Sequence, residues 1–336
     1  MKAVVCERPH QLGVTERPLP VRQAGEVLVR IRRIGLCGTD YHIFAGNQPF
    51  LSYPRVMGHE LAGEVAEADP DSAFAMGALV TINPYLACGT CVACRADKPN
   101  CCVSIQVLGV HTDGGMCEYL AVPERAVIAA GSLTADQAAM VEFLSVGAHA
   151  VRRGEVEPGN RVLVVGAGPI GVAVALFAKL AGAAVTLADT SRQRLDYARD
   201  AIGIADVVAV DPDIDAALAA RTDGEFFERV FDATGNSRAM EKGFAYVAHG
   251  GSYVLVSVVK QDITFSDPEF HKREMRLIGS RNATNADFRA VIAAIEQGHI
   301  PTDAIKTHAF PLTEAPEQIP GLISDQGSVL KAIMTL

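Results

Sequence analysis

The chain has no tryptophan, few aromatic residues and no basic segment. Among its 336 residues Trp is absent, aromatic residues make up 6%, and the formal net charge is −9. Without a positive patch or an aromatic surface for stacking, general binding to nucleic acid or to an anionic membrane is disfavoured. We therefore expect a small-molecule partner, and neither a nucleic-acid nor a membrane partner.

A signal-peptide core and an unbroken transmembrane run are also lacking. The first residues, MKAVVCERPHQL, contain no long apolar stretch, so we expect a cytoplasmic protein. Residues 162–188 are nearly uncharged and long enough to span a bilayer, but they are interrupted by Gly166, Gly168, Pro169 and Gly171. A buried strand, turn, helix and strand explain this segment better than a membrane span.

Four of the eight cysteines lie close together, at Cys88, Cys91, Cys94 and Cys102. Overlapping CxxC steps let four thiolates converge on one tetrahedral zinc at about 2.3 Å. Cys101 is adjacent to Cys102 and competes with it as the fourth ligand. In a large chain this spacing favours metal over disulfides, and a reducing compartment. We predict a structural zinc with every coordination position filled.

The predicted elements change character along the chain. Up to about residue 145, short β-type runs are split by Gly and Pro, which predicts a compact β-rich domain. From Arg161 onward, strands alternate with helices, as in RVLVVGAG, PIGVAVALFAKLAGA and AVTLADT, which indicates a parallel doubly wound sheet. The tail from about Asn282 carries an amphipathic helix and a final strand that we expect to join the first domain. The sequence therefore predicts the α/β class.

A glycine motif directly follows the first apolar strand of the second part. Its glycines form G-x-G-x-x-G at the start of a helix, where they allow a tight turn, close approach to a pyrophosphate and close helix–strand packing. The helix N-terminus offers free N–H groups to the phosphates. The predicted dinucleotide-binding residues of this turn are Gly166, Gly168, Pro169, Ile170 and Gly171.

Asp189 ends the next predicted strand, where a carboxylate accepts hydrogen bonds from the adenosine ribose. It also repels a 2′-phosphate, which favours NAD over NADP. Ser191, Arg192 and Arg194 follow closely, and one of them is a candidate for admitting NADP instead. The alternative for Asp189 is a plain strand-end or helix-capping residue.

Three residues of the β-rich part have the side chains of a reactive zinc site. Cys37 lies in GLCGTD, and His59 and Glu60 lie in MGHE, beside glycines that favour close backbone approach. A lone Cys is more often a packing residue, but a catalytic zinc needs three protein ligands and one open position. Glu142, in the apolar context AAMVEFLSVGAHA, is a further candidate because a buried carboxylate is costly unless paired or bound to metal.

The order of these motifs resembles that of the zinc-dependent medium-chain dehydrogenases of the alcohol dehydrogenase superfamily. GLCGTD, GHE, the four-cysteine knuckle, VLGVHTDGG and VGAGPIG follow one another as in that family, over essentially the whole chain. The similarity is greatest to the polyol and sugar-acid branch, with sorbitol dehydrogenase, threonine 3-dehydrogenase and the L-galactonate and L-gulonate 5-dehydrogenases. YPRVMGHE, KPNCC, VLGVHTDGG and GSRNAT resemble the sugar-acid group most.

The resemblance implies a fold, a domain division and an assembly. We expect a GroES-like β-rich catalytic domain over residues 1–148 and 282–336, including the zinc knuckle over 88–102, with Cys102 as its fourth ligand. A doubly wound Rossmann domain that binds NAD is expected over 149–281. The branch also implies a homodimer or a homotetramer.

For the site, the resemblance implies a catalytic zinc on the cysteine of GLCGTD and the histidine of GHE. Glu60 and Glu142 are then the acidic positions that bind or swing onto the metal, and which of them does so at rest stays open. The family commonly has proline after the second glutamate, where this chain has Phe143. Thr39 matches the family's proton-relay hydroxyl and His42 follows it, although a capping hydroxyl and a surface histidine are the alternatives.

Substrate recognition has the weakest sequence signal. A sugar acid requires several hydrogen-bond donors and a cation, best an arginine that binds the carboxylate with two hydrogen bonds. Candidates are Phe50, His111, Arg281 and Asn282, each of which is equally compatible with a structural role. The resemblance implies an enzyme that passes a hydride from a secondary alcohol of a sugar acid or polyol to NAD and gives a ketone, as L-gulonate and L-galactonate 5-dehydrogenases do. A polyol of the sorbitol or galactitol type, or L-threonine, is the alternative substrate.

Two other classes compete with this prediction. A zinc-knuckle binding module needs basic or aromatic surface near the cysteines, where only Arg95 and Lys98 are positive. A zinc-free reductase of the same fold, acting on enones or quinones, has no use for Cys37, His59 and Glu60 together. We therefore expect two zinc ions in each chain, one catalytic and one structural.

Overall fold

The computed structural model describes residues 1–48, 51–325 and 327–336. The chain forms two compact units, Met1–Phe143 with Ala283–Leu336, and Leu144–Asn282. The domain limits expected from the sequence lie within a few residues of these junctions and stay a prediction.

Strands dominate the chain up to its first junction. The strands are β1 (Lys2–Arg8), β2 (Gln11–Glu16), β3 (Glu26–Gly35), β4 (Arg55–Val56), β5 (Glu60–Glu67), β6 (Leu79–Ile82), β7 (Tyr85–Leu86), β8 (Gln106–Val107), β9 (Tyr119–Pro123) and β10 (Val127–Ala129). The helices are α1 (Gly38–Phe44), α2 (Val92–Arg95), α3 (Ala135–Ala139) and α4 (Val141–Arg153), the last at the junction.

Strands and helices alternate in the second unit. The elements are β11 (Arg161–Val165), α5 (Pro169–Leu180), β12 (Ala184–Asp189), α6 (Arg192–Tyr197), β13 (Asp206–Ala209), α7 (Ile214–Ala220), β14 (Phe227–Asp232), α8 (Ser237–Gly243), β15 (Val247–Leu255), α9 (Asp267–Lys272) and β16 (Arg276–Gly279). The tail then adds α10 (Asn285–Glu296), α11 (Thr302–Ile305), β17 (Lys306–Pro311), α12 (Ala315–Ser324) and β18 (Lys331–Thr335).

The main sheet of the first unit has the strand order β10-β6-β5-β3-β18-β17, and β9 also pairs with β3. The tail strand β18 is antiparallel to β3, with Met334 opposite Ile34. In β3 alternate residues are buried as far as Ile31, and a register shift between Ile31 and Arg33 then turns Ile34 and Gly35 inward.

The second unit is a parallel sheet with the order β13-β12-β11-β14-β15-β16. Four successive residues of its central strand β11, from Val162 to Val165, are apolar and buried, as expected where helices cover both faces of a parallel sheet. Leu163, Val230 and Tyr253 are completely buried in its core. The predicted α/β class with a doubly wound sheet is confirmed. None of the helices in the described part of the chain has the length and apolarity needed to cross a bilayer.

Candidate metal and cofactor sites

Three side chains converge at one end of β3 and β5. The ligand atoms of Cys37, His59 and Glu60 all lie within 4.8 Å of one another. Strand pairing explains the meeting, because Gly35 at the end of β3 is opposite Glu60 at the start of β5. A Cβ at residue 35 would collide with the Glu60 carboxylate, so this approach requires glycine. A thiol, an imidazole and a carboxylate form a ligand set that suits zinc.

Asp40 links the two segments that carry these ligands. Its buried carboxylate accepts hydrogen bonds from the backbone N–H of Cys37 at 3.0 Å and from that of Gly58 at 3.2 Å. The turn into β5 places Gly58 at a φ of 91°. Glycine adopts this backbone conformation with less strain than any other residue. The thiol and the imidazole are therefore held in place by backbone contacts.

His59 is buried, and one of its ring nitrogens has no hydrogen-bond partner among the described residues. Its Nδ1 lies 3.9 Å from Asp40 Oδ1, too far for a hydrogen bond, and it has no hydrogen-bond partner among the described residues. Burial lowers the pKa of this imidazole, but Asp40 and Cys37 outweigh burial and hold the pKa well above its ordinary value. An imidazole nitrogen without a hydrogen-bond partner, beside a thiol and a carboxylate, is a position that a metal ion can take.

Glu142 lies in the first turn of α4, outside the group of three converging ligand atoms. Its carboxylate accepts a hydrogen bond from the Tyr85 hydroxyl, a contact that the sequence analysis missed. Burial raises the pKa of Glu142 to about 7, where Glu60 adds to the shift and His59 opposes it. Tyr85 follows Asn-Pro in the chain and has no sequence signal that marks it as a site residue.

The predicted relay residues are both in α1. Thr39 is half-buried and His42 is exposed in the last turn of the helix. They are three positions apart, so their side chains lie on one face of the helix. This placement is compatible with passing a proton from the interior toward solvent.

The four predicted knuckle cysteines form a second group of converging ligand atoms, Cys88, Cys91, Cys94 and Cys102, all within 4.8 Å of one another. Cys102 Sγ accepts a hydrogen bond from the Cys88 N–H at 3.3 Å. The Thr90 N–H donates to Cys88 Sγ at 3.4 Å and is the main reason why the pKa of Cys88 is lowered to about 5. Cys101 is exposed and is not part of this group. Such N–H contacts stabilise thiolates, the form that binds zinc.

The glycine motif has the geometry of a phosphate-binding turn. Gly166 has a φ of 105°, and Gly171 packs so closely on the Gly166 carbonyl that a side chain at residue 171 has no space. Gly168 caps the N-terminus of α5 and has open space around it, with Pro169 and Ile170 in the first turn. Backbone N–H groups are therefore presented to a ligand at the carboxyl edge of the parallel sheet.

Asp189 closes the same edge. Its two oxygens accept hydrogen bonds from the backbone N–H groups of Ala167, at 2.6 Å, and Ser191, at 2.7 Å. Each carboxylate oxygen retains a lone pair for a ribose hydroxyl. Arg194 lies in the first turn of the following α6, where its N–H donates to Ser191 Oγ at 3.3 Å.

The candidate substrate residues lie in separate parts of the chain. His111 is in the first unit, where its Nδ1 accepts a hydrogen bond from the Val107 N–H at 3.0 Å, a contact that stabilises a turn. Arg281 and Asn282 follow β16 in the second unit, and Asn282 has a φ of 56°. Phe50 lies outside the described residues.

Lys331 is a further site residue that the sequence analysis missed. It lies in β18, is almost completely buried, and its Nζ donates to both oxygens of Glu60. The signal was present in the sequence, because this is the one charged residue in the final strand SVLKAIMTL. A charge in such a strand requires a buried partner.

Comparisons with known proteins agree with this geometry. Residues 23–132 match the alcohol dehydrogenase GroES-like domain, and residues 169–297 match the zinc-binding dehydrogenase family. The chain is 41% identical over 339 residues to L-galactonate-5-dehydrogenase of Escherichia coli K12, which covers 100% of this chain and 99% of the relative.

Two solved structures share the fold. An alcohol dehydrogenase, RspB, of E. coli CFT073 in complex with NADH has a TM-score of 0.94 and 29% identity, with coverage of 100% of this chain and 99% of that one. L-Idonate 5-dehydrogenase of E. coli K-12 has a TM-score of 0.91 and 26% identity, with coverage of 100% and 98%.

Proposed function

The chain belongs to the zinc-dependent medium-chain alcohol dehydrogenases, and from this premise we propose that it oxidises a secondary alcohol of a sugar acid to a ketone with NAD. Membership in the family, dehydrogenase activity on a CH–OH group, and the zinc and nicotinamide cofactors were predicted from the sequence and are confirmed by the comparisons. The observation that carries the substrate proposal is the full-length 41% identity to an L-galactonate dehydrogenase.

We propose that Cys37, His59 and Glu60 hold the catalytic zinc and that Cys88, Cys91, Cys94 and Cys102 hold the structural zinc. When bound, the catalytic zinc lowers the pKa of a substrate hydroxyl, and NAD accepts the hydride. The donor set fits the metal, because its members converge within 4.8 Å and include a buried imidazole nitrogen without a hydrogen-bond partner in the described part of the chain.

The protein's own residues position the ligands and move the proton. Asp40 holds the backbone of the cysteine segment and of the histidine turn. Thr39 takes the hydroxyl proton while it gives its own proton to the next acceptor in the relay, and His42, exposed three positions later, releases a proton to solvent. Glu142, hydrogen-bonded to Tyr85, is the second acidic position beside the site.

NAD is the proposed cofactor in preference to NADP. The N-terminus of α5 binds the pyrophosphate through Gly166, Gly168, Pro169, Ile170 and Gly171. Asp189 binds the adenosine ribose and repels a 2′-phosphate, because both of its oxygens are fixed at the carboxyl edge of β12. Arg194 flanks this position from α6.

A sugar-acid substrate requires a cation for its carboxylate. Arg281 and Asn282 follow β16 at the carboxyl edge of the parallel sheet, the edge at which open α/β sheets bind ligands. We assign the carboxylate contact to Arg281, which can form two parallel hydrogen bonds with it. His111 remains a proposed lining residue.

The test is the rate of NADH formation with a panel of substrates. The panel contains L-galactonate, L-gulonate, D-sorbitol, galactitol and L-threonine, each with NAD and with NADP. Preferred turnover of an aldonate, reduced in Arg281→Ala by a higher KM, supports the proposal. Turnover of neutral polyols or L-threonine alone would refute the sugar-acid assignment and leave the zinc-dependent reaction in place.

We further propose a homodimer or homotetramer in the cytoplasm. The strand β16 is at the edge of its sheet and exposes Leu277, a large apolar residue that is 42% accessible, and an edge strand is a surface with which another chain can pair. Zinc-binding thiolates require a reducing compartment. Light scattering after size exclusion measures the assembly, and a monomer at micromolar concentration would contradict this proposal.

A further inference from the structure

Lys331 places a positive charge inside the first unit. Its side chain is 1% exposed, and that of its partner Glu60 is 0% exposed. The Lys331 Nζ lies 2.7 Å and 2.8 Å from the two Glu60 oxygens and 3.0 Å from the Leu36 carbonyl oxygen. An ammonium has three N–H groups, so these three acceptors use all of them.

The ring of Phe143 makes a cation–π contact with this ammonium. The Lys331 Nζ lies 4.2 Å from the centroid of the Phe143 ring, and the ring is itself buried. A cation over an aromatic face is stabilised most where water is excluded. The ring follows Glu142 directly in the chain, at the position where proline is common in the resembling family.

The buried pair bears directly on the proposed metal site. Glu60 is one of the three converging ligands, yet both of its oxygens already accept hydrogen bonds from Lys331. A carboxylate oxygen has a second lone pair and can face a metal at the same time, but the ammonium reduces the negative charge that it offers. Without Lys331, Glu60 is a buried carboxylate that is neutralised by a metal or by a proton, and in the zinc-loaded chain the metal is the nearby cation.

We propose that Lys331, in contact with the Phe143 ring, is a positioning residue that restrains the Glu60 carboxylate and thereby lowers the affinity of the site for the catalytic metal. The inference rests on the proposed function of Cys37, His59 and Glu60. The change in metal affinity on mutation distinguishes this role from a structural one. Loss of the lysine is expected to strengthen metal binding, whereas loss of a merely structural residue loosens the fold and weakens it.

The experiment measures zinc release from the zinc-loaded full chain into an excess of a colorimetric chelator. Catalytic zinc is distinguished from knuckle zinc by the release phase that is missing in Cys37→Ser. In Lys331→Met we expect this phase to be slower by about 10-fold or more, the equivalent of about 1.4 kcal/mol, because an ammonium no longer opposes the charge that Glu60 offers to the metal. We also expect a larger decrease in kcat than change in KM, because the released Glu60 carboxylate then competes with the substrate hydroxyl for the metal.

Three further variants keep the test decisive. Lys331→Arg retains the charge and is expected to restore release close to the wild-type rate. Phe143→Leu removes the ring face and is expected to slow release partially, with no added effect in the Lys331→Met background. Lys306→Met, which removes a half-buried ion pair with Asp136 in the same unit, is the matched control and should release zinc as the wild type does.

The outcomes separate this inference from the proposed function. If the wild type binds two zinc ions but release is faster or unchanged in both Lys331→Met and Phe143→Leu, the proposed restraint on Glu60 is refuted. The proposed metal site is not affected by that result. A wild-type chain that binds only the knuckle zinc refutes the proposed catalytic site and the inference with it.

Discussion

Asp232 provides a quantitative test of the second unit through the pH dependence of stability. It ends β14, where Oδ1 accepts hydrogen bonds from the Thr234 N–H at 2.9 Å and from the Thr234 hydroxyl at 2.8 Å. Oδ2 is buried and has no partner among the described residues. Burial raises the pKa of Asp232 from 3.8 to about 6, and the contacts from Thr234 oppose this shift only in part.

The sign of the effect follows from the raised pKa. Below about pH 3.8 the carboxyl is protonated in both the folded and the unfolded chain, so its contribution to stability is fully present. As the pH rises through about 6, the folded protein must bury a charge, and that contribution is lost. A shift of roughly two pKa units corresponds to about 3 kcal/mol of unfolding free energy.

Asp232→Asn keeps the acceptor for Thr234 and removes the ionisation. The difference in unfolding free energy between variant and wild type should therefore change by about 2.4 kcal/mol in favour of the variant between pH 4 and pH 7, since a small part of the effect is already lost at pH 4. Urea denaturation of the zinc-loaded proteins, without NAD, measures this difference at each pH. Asp223→Asn, an exposed position in the same unit, controls for the loss of one surface charge.

The pH dependence is the decisive quantity, because an unpaired asparagine amide adds an offset that does not vary with pH. A variant-minus-wild-type difference that stays constant across this range would refute the argument that Asp232 ionises at a cost in the folded chain.

The remaining predictions concern the metals and the cofactor. Cys37→Ser should lower turnover by more than about 100-fold, since a lost ligand costs more than a lost supporting residue, and should leave one zinc by elemental analysis. Cys102→Ser should lose the other zinc and lower the melting temperature, whereas Cys101→Ser, its exposed neighbour, should keep both ions. Asp189→Ala should raise the KM for NAD about 10-fold, the equivalent of about 1.4 kcal/mol, with a smaller change for NADP in initial-rate assays. Two zinc ions in Cys37→Ser would contradict the catalytic zinc site, and loss of zinc in Cys101→Ser would contradict the choice of Cys102. Equal KM changes for NAD and NADP in Asp189→Ala would contradict the ribose contact.

The metal clusters show how a local pattern differs from a tertiary one. The knuckle cysteines were predicted as a group because they lie within one short segment, and the chain between them only has to turn tightly. Glu60 and Glu142 were both open as metal-binding positions, since their distance from Cys37 depends on strand pairing. The pairing of β3 with β5 brings Glu60 into the group of converging atoms, while Glu142 accepts a hydrogen bond from Tyr85.

The sequence by itself determined the fold class, the glycine turn and the cysteine knuckle. Each depends on residue types at short spacing, where backbone geometry limits the outcomes. Only the tertiary structure decided that Lys331 meets Glu60, because 271 residues separate them and β18 must first pair with β3. Once that pairing buries both charges, neither can be removed from the metal-free chain without leaving the other uncompensated.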